Sequence, residues 1–127
     1  MSSFSDYLEN ALLNHVFRNT ALTSPTNVYL ALYTANPTDA GGGTEVTGGG
    51  YTRQAITFGA ASGGAISNTA AVEFTASGAS FGTVTGVGIF DASSGGNLLA
   101  WDAITSAAVG DGDTLSFAIG DIDLSLD

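Results

Sequence analysis

Short segments in which apolar residues alternate with polar or small ones recur along most of the sequence. The clearest is VYLALYT at 28–34, where every second residue is Val or Leu and the residues between them are Tyr or Ala. Because successive side chains of a strand point to opposite faces, this pattern predicts a strand with two usable faces. Further candidate strands lie at 52–58, around 66, and at 72–74, 84–90, 98–104, 114–119 and 122–126.

The segments between these candidate strands are rich in Gly, Ser and Asp, most clearly at 93–96, 110–112 and 120–121. Turns at such regular spacing indicate a β-sandwich or a jelly-roll-like barrel. A chain of 127 residues, 44% of them hydrophobic, has room for one domain around one core. We therefore predict a mainly β fold, with a single β-sandwich domain at 21–127.

The N-terminal segment 1–20 has a different period. From Ser3 or Ser5 to Arg18, apolar residues recur at spacings of three and four, which predicts an amphipathic helical arm. Leu13 and Phe17 make the apolar stripe wider than one contact face needs. We expect the helix to lie between its own sheet and a neighbouring molecule.

The segment 36–50 interrupts the strands with Pro37, two Gly triplets and almost no apolar residue. This composition predicts a long, mobile, Gly-rich loop. Since a structureless loop of this length in a small domain usually has a use, we expect it to contact another molecule.

Charge excludes several classes of partner. Twelve carboxylates face two arginines, there is no lysine, and the formal net charge is −10. Such a chain repels phosphates, so neither nucleic acid nor an anionic membrane is an expected partner. The sequence has no cysteine, no basic leader at its start and no apolar run long enough to span a membrane. We expect a soluble protein made in the cytoplasm.

Several residues have types that can support chemistry, but their contexts favour structural roles. His15 lies on the predicted helix, where hydrogen bonding to backbone is a simpler role than membership of a catalytic triad. The pairs Asp111 with Asp113 and Asp121 with Asp123 flank glycines at turns, where Asp caps backbone N–H groups. If the turns came together, Asp91 and these aspartates could supply the oxygen ligands of a calcium site, but their spacing matches no calcium-binding motif.

Two further patterns are equally ambiguous. The Gly triplets lack the Lys of a phosphate-binding loop. Trp101 and the tyrosines Tyr29, Tyr33 and Tyr51 are able to stack on sugars, although Trp101 lies in an apolar run that favours the core or a subunit interface. The sequence thus predicts no enzyme, no catalytic residue, no cofactor and no metal site, and a glycan-cleaving or glycan-binding role is the alternative.

Five blocks of sequence resemble a family of small tailed-bacteriophage proteins, often labelled tail fibre proteins, some of whose relatives are capsid decoration proteins. The blocks are YLENALLNHVFRNT (7–20), SPTNVYLALYTANPTDAGGGTEV (24–46), GGGYTRQAITFG (48–59), VGIFDASSGGNLL (87–99) and GDTLSFAIGDIDLSLD (112–127). They span nearly the whole chain and carry no catalytic residue.

The resemblance implies a virion structural protein. Because the chain is short for a fibre with a shaft and a tip, we expect a decoration or cement protein on the capsid surface, with the major capsid protein as partner. A homotrimer at threefold positions would let one module contact several capsid subunits. The alternative is a tail fibre or tail-tip protein that binds a host glycan receptor.

Overall fold

The computed structural model describes residues 3–126. Met1, Ser2 and Asp127, which the predicted arm and domain boundaries include, lie outside the described residues. One helix and ten strands are present in the described part, in the order β1 (Ser3–Phe4), α1 (Asp6–Phe17), β2 (Val28–Ala35), β3 (Thr44–Glu45), β4 (Gln54–Ile56), β5 (Ala65–Ser67), β6 (Val72–Thr75), β7 (Gly82–Phe90), β8 (Leu98–Val109), β9 (Thr114–Phe117) and β10 (Asp123–Ser125).

The helix forms where the sequence predicts it. Ser5 is the N-cap, and its side chain accepts a hydrogen bond from the Leu8 N–H at 3.1 Å while its hydroxyl donates to the Leu98 carbonyl. Just before it, β1 pairs with β8, with Ser3 opposite Trp101 and Phe4 opposite Ala100. The start of the helix is therefore fastened to the edge of the sheet.

The main sheet is antiparallel in the order β1-β8-β7-β2-β3, and β4 pairs with β2 beside β3. Two small sheets, β5 with β10 and β6 with β9, complete the fold. The predicted mainly β, sandwich-like fold with an N-terminal helix is confirmed.

The strand β2 has two buried faces, as its alternation predicts. Leu30 and Leu32 lie opposite Ile89 and Val87 of β7, and this face belongs to the main core together with Phe74 of β6 and Ile122, just before β10. The other face forms a second apolar cluster, which consists of Ala31, Tyr33, Phe90 and Leu98, with Trp101 against it.

The segment 36–50 is not the structureless loop that its composition predicts. It contains β3, and Val46 is buried with its N–H donating to the Leu32 carbonyl at 2.9 Å. Gly49 lies so close to the loop between β6 and β7 that a Cβ would stand 2.7 Å from the Ala79 carbonyl oxygen. At least this glycine of the two triplets serves close packing, which composition alone does not distinguish from flexibility.

The strand β8 also runs farther than predicted, to Val109, because Ala107 and Ala108 still pair with Val84 and Thr83 of β7. Small residues at 105–108 carry no apolar alternation, so the pattern ends at Ile104 although the pairing continues. Among residues 3–126, no helix is long and apolar enough to cross a membrane.

Candidate functional site

His15 fastens the chain that follows the helix. Its Nδ1 lies 3.2 Å from the Thr20 carbonyl oxygen and 3.3 Å from the Leu22 N–H nitrogen. With Nδ1 protonated, the ring donates to the Thr20 carbonyl; with Nδ1 unprotonated, it accepts from the Leu22 N–H. The ring is exposed, and no serine or carboxylate of residues 3–126 hydrogen-bonds to it, so the structure assembles no triad around it.

Four of the five aspartates considered as acid–base pairs or calcium ligands accept hydrogen bonds from backbone N–H groups. A carboxylate oxygen accepts a backbone N–H at 2.7 to 2.9 Å in each case, from Asn97 to Asp91, from Gly78 to Asp111, from Gly110 to Asp113 and from Ala118 to Asp121. The predicted capping of the turn is confirmed for Asp113 and Asp121. Asp111 instead accepts from a distant loop, and Asp123 lies in β10. Within the described residues, no three His, Cys, Asp or Glu side chains are placed to hold a metal ion together.

A polar network that the sequence analysis missed joins β3, the residues just before β4 and the turn after β7. Arg53 donates from Nε and Nη2 to the two carboxylate oxygens of Glu45, both at 2.9 Å, and from Nη1 to the carbonyls of Ala92 and Gly95. Its guanidinium carbon lies 3.7 Å from the centre of the Phe90 ring. Tyr51 donates to Glu45 at 2.6 Å and accepts from the Leu32 N–H.

This network sets the ionisation of its members. Burial would raise the pKa of Glu45, but the hydrogen bonds from Arg53 and Tyr51 outweigh it and hold that pKa below its usual value. Burial raises the pKa of Tyr51, and the hydrogen bond to Glu45 raises it further. Glu45 is therefore an ionised, structural carboxylate whose two oxygens are both occupied by hydrogen bonds from Arg53 and Tyr51.

A cleft of about 430 Å³ opens beside this network, and we call it the acidic cleft. Residues 39–43 line one part of it and residues 96–98 another, while Tyr33, Glu45 and Phe90 line it from the sheet. Asp39 is held by Trp101, whose Nε1–H donates to its Oδ1 at 2.9 Å. Trp101 thus lies half-buried against the second apolar cluster with its polar atom paired, in keeping with the packing role expected for it.

Tyr33 is the most deeply buried residue of the cleft wall that carries a titratable group, with 3% of its surface exposed. Burial and the charge of Glu45 raise its pKa to about 12, although the nearby Arg53 lowers it. Its hydroxyl stays protonated at neutral pH and is able to donate a hydrogen bond. Tyr29 lies four residues earlier on the same face of β2, outside the cleft lining.

The outer face of α1 is the other surface feature. Leu13, Val16 and Phe17 are 56%, 64% and 77% exposed, and no residue of the helix is fully buried. Exposed apolar side chains that adjoin on one helix face are typical of interaction sites. The expected wide stripe is therefore present, with its outer part unpartnered in the single chain.

A model of the protein family described as Podophage GP4 fiber I protein gp80 matches residues 3–125. The chain belongs to this family. No curated protein matches the sequence. Membership in the gp80 family confirms the resemblance to small tailed-phage proteins and makes the chain a phage virion structural protein, while the family description speaks of a fibre and not of capsid decoration.

Proposed function

We propose that the protein is a non-enzymatic fibre component of a tailed-phage virion and that it assembles with other copies of itself through the outer face of α1. The observation that carries this proposal is the exposure of Leu13, Val16 and Phe17 on a helix whose start is tied to the sheet. The family description supports the fibre role. The use of the aspartates and His15 in turns and backbone contacts supports a structural role over a catalytic one.

Charge favours a second copy as the occupant of this face. The chain carries a net charge of −10, so two copies repel each other over most of their surfaces. Residues 10–38 contain no carboxylate, and Arg18 follows directly after the helix. The C-terminal half of α1 is therefore where another acidic copy approaches with the least repulsion, and a homotrimer around this helix is one of the closed symmetries that homo-oligomers adopt.

Sedimentation of the purified protein tests the assembly. Burying one Phe side chain stabilises a contact by roughly 1.5–3 kcal/mol, so Phe17→Ser weakens association about tenfold or more. Ile119→Ser is the matched control, because Ile119 is 67% exposed but lies outside the helix. We expect a trimer for the wild type and for Ile119→Ser, and a monomer for Phe17→Ser at the same concentration. A wild-type monomer, or a trimer that survives Phe17→Ser, contradicts the proposal.

A capsid decoration protein bound to the major capsid protein is the second candidate. It is favoured by the form of the described residues, which make one small sheet-based body with a single helix of 12 residues and no repeated shaft element. The acidic outer surface suits a module that is exposed to solvent on a particle.

Counting copies per purified virion by quantitative mass spectrometry distinguishes the two roles. A fibre component is present in a small number of copies relative to the major capsid protein, whereas a decoration protein is present in comparable amounts. Comparable amounts would therefore replace the fibre role by the decoration role, and the absence of the protein from virions would exclude both.

A further inference from the structure

We propose that the acidic cleft binds one neutral sugar residue, with the Tyr33 hydroxyl as hydrogen-bond donor and the Asp39 carboxylate as acceptor. The inference rests on the cleft alone and holds whether the protein lies in a fibre or on the capsid. It differs from the proposed assembly, which uses α1. The two can fail separately, because binding of a sugar is measured independently of oligomeric state.

The first observation is a polar group without a partner. The Tyr33 ring is almost entirely buried, yet its hydroxyl makes no hydrogen bond to any residue of 3–126. Every side-chain oxygen or nitrogen in that range that is fully shielded from solvent has a hydrogen-bond partner. Because the Tyr33 hydroxyl has none, it must be in contact with solvent, and the cleft that Tyr33 lines is where that contact lies. Buried polar groups are normally paired, and an unpaired one facing a cleft marks a place for a ligand atom.

Space for this tyrosine is built into the sheet. Gly88 of β7 lies next to it, and a Cβ at that position would stand 2.9 Å from Tyr33 Cε2. The absence of a side chain at position 88 lets the ring pack against the sheet, where only 3% of Tyr33 is exposed. A donor that is fixed before binding costs little to order when a ligand arrives.

The second observation is an acceptor on the neighbouring loop. Trp101 occupies only Oδ1 of Asp39, and Oδ2 accepts no hydrogen bond from the described chain. Glu45, by contrast, has both oxygens engaged by Arg53 and Tyr51. Asp39 is therefore the carboxylate of the cleft that remains able to accept from a ligand.

The pair of groups selects the chemistry of the ligand. Asp39 and the net negative charge repel an anion. An ammonium or guanidinium group offers donors but no acceptor, so it leaves the Tyr33 donor unused. A sugar hydroxyl both donates and accepts, and the C–H groups of a sugar ring suit the apolar wall that Phe90 and Leu98 provide. The volume of about 430 Å³ lies within the range of roughly 300–1,000 Å³ for small-ligand sites.

The test is an NMR titration of the ¹⁵N-labelled protein with neutral methyl glycosides of glucose, galactose, mannose, rhamnose and N-acetylglucosamine. We expect saturable shifts of the amides of residues 39–43 and 96–98 with at least one glycoside, at a Kd of about 1 mM. Tyr33→Phe keeps the ring and loses only the hydroxyl, so its fold is retained and its affinity falls at least about fivefold. Tyr29→Phe, on the same strand face, is the matched control and binds as the wild type does.

Three results would overturn the proposal. One is that none of the glycosides gives saturable shifts at the cleft up to about 50 mM, well above the Kd expected for one residue. Another is that Tyr33→Phe, shown to be folded by an unchanged urea midpoint, binds as tightly as the wild type. The third is that only N-acetylarginine amide binds there and that salt abolishes its binding, which would make the cleft a site for a cationic side chain.

Discussion

The buried side chain of Asn68, just after β5, makes four hydrogen bonds, and its replacement gives the sharpest test of how this fold is held together. The residue is 1% exposed. Its Nδ2 donates to the carbonyls of Ala70 and Ala118 at 2.8 and 3.0 Å, and its Oδ1 accepts the N–H groups of Gly120 and Ile122 at 3.0 and 2.9 Å. One amide thus joins the turn after β5 to the connection between β9 and β10.

The expected cost of Asn68→Ala follows from these four bonds. If each contributes about 1 kcal/mol net, their loss lowers the free energy of unfolding by about 4 kcal/mol. The backbone groups left unpaired can regain water in part, because the connection at 118–121 is exposed, so we expect about 3–4 kcal/mol. That is a large share of the roughly 5–15 kcal/mol by which a domain is stable.

Urea unfolding followed by the fluorescence of Trp101, the single tryptophan, measures this change. With a slope of about 2 kcal/mol per molar urea, the midpoint of Asn68→Ala falls by about 1.5–2 M. Asn27→Ala is the control, since Asn27 is exposed and its side chain makes no hydrogen bond within residues 3–126. A loss below about 1 kcal/mol for Asn68→Ala would refute the reasoning, because it would mean that water replaces the amide at almost no cost.

Two further predictions concern the network and the Gly triplets. Because the pKa of folded Glu45 lies below its usual 4.5, the ionised carboxylate stabilises the fold above that pH, and its contribution is lost as the pH falls toward the folded-state pKa. The difference in unfolding free energy between wild type and Glu45→Gln is therefore largest near neutral pH and shrinks in acid, whereas a pH-independent difference in urea unfolding would show that Glu45 acts only through its shape. Both Gly48 and Gly49 have a positive φ (+81° and +60°), at which an alanine costs roughly 1–2 kcal/mol of stability. Only the Cβ at position 49 would also meet a backbone oxygen, so Gly49→Ala lowers the thermal unfolding temperature more than Gly48→Ala does. Equal losses would indicate that the loop shifts to relieve the contact.

The parts of the fold that sequence alone predicts are those whose signal is local and repeated. The segment 28–34 alternates over its whole length, and the helix has both a capping serine and a period of three to four, so β2 and α1 form as expected. The strands β1 and β3 contain two residues each, which is too short for any period to be read. Their existence depends on the neighbours that they pair with.

The candidate site depends on contacts between residues distant in the chain. Tyr33, Asp39 and Asn97 meet only because β2, β7 and β8 are neighbours, and the sequence near each gives no sign of the others. From the sequence, Tyr33 is predicted only to lie on the second face of the strand at 28–34. Asn68, between Ser67 and Thr69, reads as a turn residue, since its burial is created by a segment some 50 positions later.

Asp39 connects the acidic cleft to the start of α1. Its carboxylate lies in the acidic cleft, and its backbone carbonyl accepts the N–H of Asp6, the first residue of α1, at 2.9 Å. A ligand that displaces residue 39 thereby acts on the first turn of the helix, and assembly through the helix acts on the cleft to the same extent, since coupling free energies are reciprocal. If a cleft ligand moved residue 39, binding in the cleft and assembly through α1 would therefore be coupled through this one backbone hydrogen bond.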